Sequence, residues 1–309
     1  HNHPSAIEPF GGAATGVGGV IRDVLGVWGE PIANTDVLCF GPLDYDYKKL
    51  PKDKKHPRFI YSGVTTGVGS YGNNMGIPTV NGAIYFDEGY VGNPLVYCGC
   101  IGLLPKDKFV KNVKAGDNLI IAGNKTGRDG IHGVTFASVE LDEKSDVSRS
   151  AVQIPDAIQQ EKLKRAILEI RDRKLASAIT DLGGGGLSCG SCELADSAGI
   201  GISVFLDSVP LREKLAPWEI FVSESQERML LVVPDKNLQE VLQIFAGEDV
   251  EATPIGKFIQ DKISKIYYKG TVVGELDLQF LFNPISTTKK AVWQKPEYPE
   301  PTFDEPKDL

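Results

Sequence analysis

Apolar positions recur every three to four residues in two long stretches near the start of the chain. Val17, Val20, Ile21, Val24, Leu25 and Trp28 share one face of a predicted helix over 13–28. Arg22 and Asp23 fall off that face, which leaves them free to meet a ligand. Ile60, Val64, Val68, Tyr71 and Met75 give a second helix over 58–75. Gly76 suits its left-handed C-terminal turn and Pro78 blocks continuation. Short apolar runs predict strands at 36–40, 79–86, 94–104 and 118–122. Asp156 is a candidate N-cap for a helix reaching about 174. Beyond it the pattern predicts a strand at 176–181, a helix beginning near Leu187, strands at 200–206, 218–222 and 229–233, and a helix at 236–246. A hairpin turns at Lys269-Gly270. The Lys- and Pro-rich stretch 48–57 reads as a solvated loop. Residues 286–309 carry Pro, Lys, Glu and Asp without periodicity and read as a linker or tail.

Strands and helices alternate irregularly, with turns between neighbouring strands. That favours two α+β domains over one doubly wound parallel sheet. A length of 309 residues suits two cores. The polar stretch 106–114 marks the expected boundary, giving domains at 1–108 and 109–285 before the tail at 286–309.

Composition narrows the function classes. The formal net charge is −8 and there is no basic run, so nucleic acid is a poor partner. Phosphorylated ligands remain open, through backbone N–H groups, Lys, Arg or bridging metal ions. No apolar run approaches the roughly 20 residues of a membrane helix, and no signal-peptide pattern is present, so a cytoplasmic protein is expected. The five cysteines (Cys39, Cys98, Cys100, Cys189 and Cys192) are too few and too scattered for a disulfide framework. Cys98-x-Cys100 and Cys189-x-x-Cys192 could together make a four-thiolate zinc site, but buried small side chains explain them better. The chain opens at His1, without Met, inside what reads as a motif, so a processed or partial chain is expected.

Five clusters could carry chemistry, and each also has a plainer explanation. His1-Asn2-His3-Pro4-Ser5 offers two imidazoles as base, phosphate donor or metal ligand, or is a loose terminus or tag remnant. The run Gly11 to Gly19 opens a helix and lets a ligand approach the backbone, or serves close helix packing. Gly123 to Gly133 follows a strand but lacks a P-loop's Gly-Lys-Ser/Thr ending. Asp181, followed after Leu182 by four glycines, suits Mg²⁺ with Asp23 as a partner; each alone also suits a cap or a solvated charge. Ser223-Glu224-Ser225-Gln226-Glu227-Arg228 suits hydrogen bonding to a sugar or amide, or a turn.

The order of these clusters closely resembles the large subunit of phosphoribosylformylglycinamidine synthase. The resemblance runs from His1-Asn2-His3-Pro4-Ser5 and Ile7-Glu8-Pro9-Phe10 through Gly11 to Asp23. It continues through Gly76 to Gly82, Thr126 to Gly133, Ser150 to Gln153, Asp181-Leu182-Gly183 and Ser223 to Arg228, and covers nearly everything to about residue 285. It implies an ATP-dependent carbon–nitrogen ligase of purine synthesis. That family converts formylglycinamide ribonucleotide, ATP and glutamine-derived ammonia to the amidine. The resemblance matches His1 to the proton acceptor and Asn2, His3, Arg22, Gln153, Glu224, Ser225 and Gln226 to substrate contacts. Asp23 and Asp181 match Mg²⁺ ligands. The implied fold is that of aminoimidazole ribonucleotide synthetase: an N-terminal α+β domain, then a C-terminal α/β sandwich.

The chain departs from that pattern in what it lacks. The family's Lys-x-Glu-Thr/Ser stretch ahead of the His-Asn-His is missing, and so are a second pseudo-symmetric half and any glutaminase sequence. Leu43–Pro57 looks like a variable insertion. The resemblance therefore implies a first-half fragment, inactive alone, with an exposed sheet edge and with the remaining half and a glutaminase as partners. Two other readings are another synthetase of the superfamily and a non-catalytic nucleotide-binding scaffold for a glutaminase. The intact Arg22, Asp23 and Asp181 weigh against the scaffold.

Overall fold

The computed structural model describes residues 1–131, 133 and 152–299. The chain opens with two consecutive helices, α1 (Asn2–Ile7) and α2 (Pro9–Leu25). The second begins earlier than the apolar stripe predicts. Pro9 occupies the first turn and the Glu8 carboxylate accepts from Gly11 N at 2.5 Å, so capping sets the start ahead of the first buried valine. Strand β1 (Glu30–Phe40), helix α3 (Pro57–Met75) and strands β2 (Thr79–Phe86) and β3 (Leu95–Leu103) follow. Gly76 ends α3 in the left-handed region, as the sequence predicts. The three strands form a sheet ordered β2-β1-β3, with β1 parallel to β2 through the α3 crossover and antiparallel to β3.

The second sheet gathers β4 (Asn118–Gly123), β5 (Ala178–Asp181), β6 (Gly201–Phe205), β7 (Arg228–Val233), β8 (Ala252–Ile259), β9 (Ile263–Tyr268) and β10 (Thr271–Asp277). Its order is β10-β9-β6-β8-β4-β7-β5. Helices α4 (Ala157–Asp172), α5 (Leu187–Ser197), α6 (Pro217–Val222), α7 (Leu238–Gly247) and α8 (Leu278–Phe282) accompany this sheet. The mixed sheets and segregated helices are the expected α+β architecture. The β9–β10 hairpin turns on Lys269 and Gly270, both at positive φ.

Four elements differ from the sequence expectation. The short helices α1 and α8 have no counterpart in it. Residues 218–222 are the helix α6, not a strand. Their aromatic and β-branched side chains suit a strand, but Pro217 presets the first helical turn and the Glu219 carboxylate accepts from Ala216 N at 2.7 Å. Strand β8 has no counterpart in the expectation, because Thr, Pro, Gly and Lys interrupt its apolar positions.

The central strands of the large sheet are apolar on both faces because both are covered. Ile120, Met229, Leu231 and Val233 join one core with α4, α7 and the apolar stripes of α2 and α3. Leu119, Ile121, Leu230 and Val232 face the other way, into a core with Leu187 and Leu194 of α5, Ile220 of α6 and Leu278 of α8. The first core is continuous across both sheets, so α2 and α3 are wedged between the small sheet and α4. The small sheet's far face lacks such a cover among the described residues. Tyr85, Tyr97 and Ile101 sit on it at 61, 65 and 50 % exposure. Among the described residues, no helix is long and apolar enough to cross a membrane.

Close packing of α2 on its neighbours accounts for part of the glycine run. A methyl on Gly12 would lie 2.5 Å from Ser5 N of α1, and one on Gly67 of α3 would overlap the Phe10 carbonyl of α2. Gly67→Ala is therefore expected to destabilise the protein by about 1–3 kcal/mol, as overpacked cores do. Denaturant unfolding of the variant against the parent checks this; unchanged stability would show that the α2–α3 contact relaxes freely.

Candidate active site

A cleft of about 530 Å³ opens where the N-terminal helices meet the large sheet. His1, Asn2, His3, Arg22, Asp23, Gln153, Asp181, Glu224 and Gln226 all line it. Thus every sequence-predicted site residue but one converges on a single cavity, although they span more than 220 positions of chain.

The His-Asn-His segment is ordered, unlike a loose terminus. The His1 amino nitrogen donates to Val96 O at 2.9 Å, and Asn2 Oδ1 accepts from Val96 N at 2.7 Å. The Ser5 hydroxyl closes the turn by donating to His1 O at 2.7 Å. These bonds lash the segment to the start of β3 and leave both imidazoles on the cleft. Asn2 thereby spends its side-chain oxygen on backbone.

Asp23 follows on α2, and Asp181 ends β5. Burial pushes the Asp23 carboxyl above the usual carboxylate range, the neighbouring Asp181 pushes it the same way, and Arg22 opposes them. Two carboxylates facing each other in a half-buried cleft repel until a cation or a proton separates them. Gly183 and Gly184, just past Asp181, also line the cavity. Among the described residues, no cluster of three or more His, Cys, Asp or Glu side chains is placed to hold a metal.

Gln153 and Glu224 are held together. Gln153 Nε2 donates to Glu224 Oε2 at 3.2 Å, and Gly185 N donates to Glu224 Oε1 at 3.1 Å. Gln226 Nε2 donates to Glu224 O at 2.6 Å, and its Oε1 accepts from Arg22 Nη2. Arg228 pins this loop from beneath. Wholly buried, it donates from Nε to Ser225 O and from Nη2 to Ser223 O, both at 2.6 Å, and from Nη1 to Thr126 Oγ1 at 2.8 Å. Burial lowers its pKa to about 10.

Two expectations need revision. Arg22 is not a free side chain on the outer face of α2. It is 1 % exposed, because α3, α4 and the loop before β7 close over that face. Ser225 does not line the cleft. At 1 % exposure it donates from Oγ to Asp129 Oδ1 at 2.7 Å and accepts from Gly127 N at 2.9 Å, tying the loop after β4 to the loop before β7. Thr15 also lines the cleft from α2 and donates to Gln153 O at 3.5 Å, with no sequence signal setting it apart from the glycine-rich run around it. Tyr71 and Gln160 carry no sequence signal beyond their helix positions.

The cysteines make no common site. Cys98 and Cys100 lie on β3, Cys189 and Cys192 on α5, and all are free. Burial raises the Cys98 and Cys100 thiols, the latter to about 11. A wider cleft of about 740 Å³ is lined by Gly123, Asn124 and Lys125 of the Gly123 to Gly133 run, but by none of the predicted catalytic, substrate or metal residues. His132, and Ser150 and Ala151 of the Ser150 to Gln153 motif, lie outside the described residues.

Comparison with known proteins accords with this arrangement. Residues 1–104 match the N-terminal domain of AIR synthase related proteins, and residues 114–269 match their C-terminal domain. The phosphoribosylformylglycinamidine synthase subunit PurL of Picrophilus torridus is 46 % identical over 299 residues, 96 % of this chain but 39 % of the relative. Thermotoga maritima PurL complexed with FGAR superposes with a TM-score of 0.82 at 35 % identity, over 96 % of this chain and 47 % of that one. The same PurL complexed with ATP gives 0.77 at 32 % identity, over 99 % of this chain and 47 % of that one. The PurLQS structure from that organism gives 0.80 at 32 % identity, with the same coverage. The chain thus spans less than half the length of the relatives it matches. With both domain models matched in order, it belongs to the family of AIR synthase related proteins and is similar, over nearly its whole length, to part of PurL.

Proposed function

We propose that this chain supplies the first half of a synthetase that converts formylglycinamide ribonucleotide, ATP and glutamine-derived ammonia to the amidine, ADP and phosphate. One observation carries the reading: the nine residues that the family resemblance names separately line one cleft. The likeness to PurL complexed with FGAR and with ATP supports the two larger substrates.

In this reading a phosphoryl group passes from ATP to the amide oxygen of the substrate. Ammonia then adds to the same carbon, and phosphate leaves. The work of the protein is positioning and charge neutralisation. Arg22 and Gln226 hold the substrate's oxygens, and Asn2, His3, Gln153 and Glu224 orient its amide and sugar. His1 accepts the proton that the incoming ammonia sheds. Asp23 and Asp181 are hard oxygen donors whose mutual repulsion fits Mg²⁺, which would neutralise phosphate oxygens when bound. The domain boundary is proposed at 108/109, within the polar stretch 106–114.

The bare outer face of the small sheet bears Tyr85, Tyr97 and Ile101, and its edge strand β2 is exposed along nearly its whole length. Unpaired sheet edges of this kind seek a partner. We assign that face to the remaining half of the synthetase, with a glutaminase as the ammonia source and the cytoplasm as the location. PurLQS is the assembled counterpart among the similar structures.

Three outcomes are expected. In the full-length protein, Asp181→Asn should lower turnover at least about 100-fold, the scale of losing a metal's charge stabilisation; unchanged turnover would overturn the metal role. The isolated 309-residue chain should show no turnover with ATP, ammonia and substrate, and detectable product would refute the half-site reading. Ser225→Ala should cost about 1–3 kcal/mol of stability by orphaning buried partners, while leaving the substrate KM unchanged. A raised KM with full stability would instead make Ser225 a substrate contact.

A further inference from the structure

Arg22 is the sole Lys or Arg among the described residues lining the cleft, and its neighbours there include Asp23, Asp181 and Glu224. An anionic ligand entering that acidic surround depends on where this guanidinium stands. Its position is set from behind by groups that do not themselves line the cleft. Arg22 Nη1 donates to Gln160 Oε1 at 2.8 Å and to Glu227 Oε1 at 3.2 Å, and the Glu227 side chain is wholly buried. The Tyr71 hydroxyl lies 2.6 Å from the same Gln160 oxygen and 2.9 Å from the same Glu227 oxygen, so its one proton bridges the pair. Gln160 Nε2 donates to Gly18 O at 3.1 Å, tying α4 to the α2 backbone one turn before Arg22.

Two features show that this assembly is built for placement. Glu227 holds φ at +54, a strained conformation for a glutamate, and a non-glycine residue keeps such a backbone only where its surroundings impose it. Gly18 leaves room for the phenol: a methyl there would meet Tyr71 Oη at 2.6 Å. The guanidinium has five hydrogens, of which Nη1 spends two and Nη2 gives one to Gln226. The remaining Nη2 hydrogen and the Nε hydrogen, which has no partner, stay unspent.

We propose that Glu227, assisted by Tyr71 and Gln160, is a positioning residue that holds Arg22 in the orientation the anionic substrate requires. The inference rests on the reading of the cleft as the ribonucleotide site. Held this way, Arg22 binds without paying reorganisation on each encounter, and Gln226 is aligned through the same guanidinium.

The test uses the full-length protein with formylglycinamide ribonucleotide, ATP and ammonia. Glu227→Gln keeps the shape and removes the charge. It is expected to raise the KM for the ribonucleotide by about tenfold or more while the KM for ATP stays within about twofold. Tyr71→Phe keeps the ring and removes only the hydroxyl, so it keeps the test alive if Glu227→Gln does not fold. It should shift the same KM in the same direction by a smaller factor. If the variants lose only thermal stability, with the ribonucleotide KM unchanged, Glu227 is a structural ion-pair partner and the inference falls. If the parent protein itself does not turn over this substrate, the reading of the site falls with it. The parent's activity separates the two failures.

Discussion

The buried ion pair between Arg22 and Glu227 joins the two parts of this molecule. Arg22 is 1 % exposed and Glu227 is fully buried, and they come from opposite sides of the junction. Arg22 and Tyr71 belong to the helices on the small sheet; Gln160, Gln226 and Glu227 belong to the large one. Desolvation pushes the Glu227 carboxyl up, while Arg22 and the Tyr71 hydroxyl pull it down. A charge taken this far from water is tolerable only when its partner is in place, and removing one partner of such a pair typically costs about 3–5 kcal/mol. The pair therefore specifies how α2, α3 and α4 must sit against the loop before β7, and the cleft forms beside that junction.

From that constraint the rest of the site follows. The continuous core across α2, α3 and α4 brings the two halves together without preferring one rotation over its neighbours, because apolar burial is non-directional. The polar network is directional. It puts Arg22 and Asp23 of α2 against Asp181 of β5 and the Glu224–Gln226 loop, while Val96 holds His1 and Asn2 at the open side. Arg228 then fixes the loop carrying Glu224 and Gln226 through three buried donations. Charge in the cleft is left unbalanced: burial and the neighbouring Asp181 both raise the cost of ionising Asp23. Carboxylates so placed favour a cation or a proton between them.

Much of this was present in the one-dimensional pattern. The α3 stripe with its Gly76 terminus, the buried β4 and β7 runs, the Asp156 cap and the Lys269-Gly270 hairpin each depend on neighbours within a few residues. Local periodicity and turn chemistry suffice for those. The motifs named the cleft residues because each carries a side chain with few structural reasons to stand where it does. Residues 218–222 misled because β-prone side chains outweighed a proline and a capping glutamate. Strand β8 stayed hidden because its pairing with β4 and β6, not its own alternation, makes it a strand.

The sequence by itself determined which residues could bind, and in what order the two domains come. Spacing along the chain decided little about contact. Nothing local shows that Arg22 is buried, that Ser225 faces Asp129 and not the cleft, or that Tyr71 and Gln160, 89 positions apart, share one acceptor geometry with Glu227. Those facts depend on which surfaces the two sheets bury against each other. Burial changes what a side chain can do: in water Glu227 would be a solvated charge, and beneath Arg22 it becomes the buried partner that fixes the guanidinium.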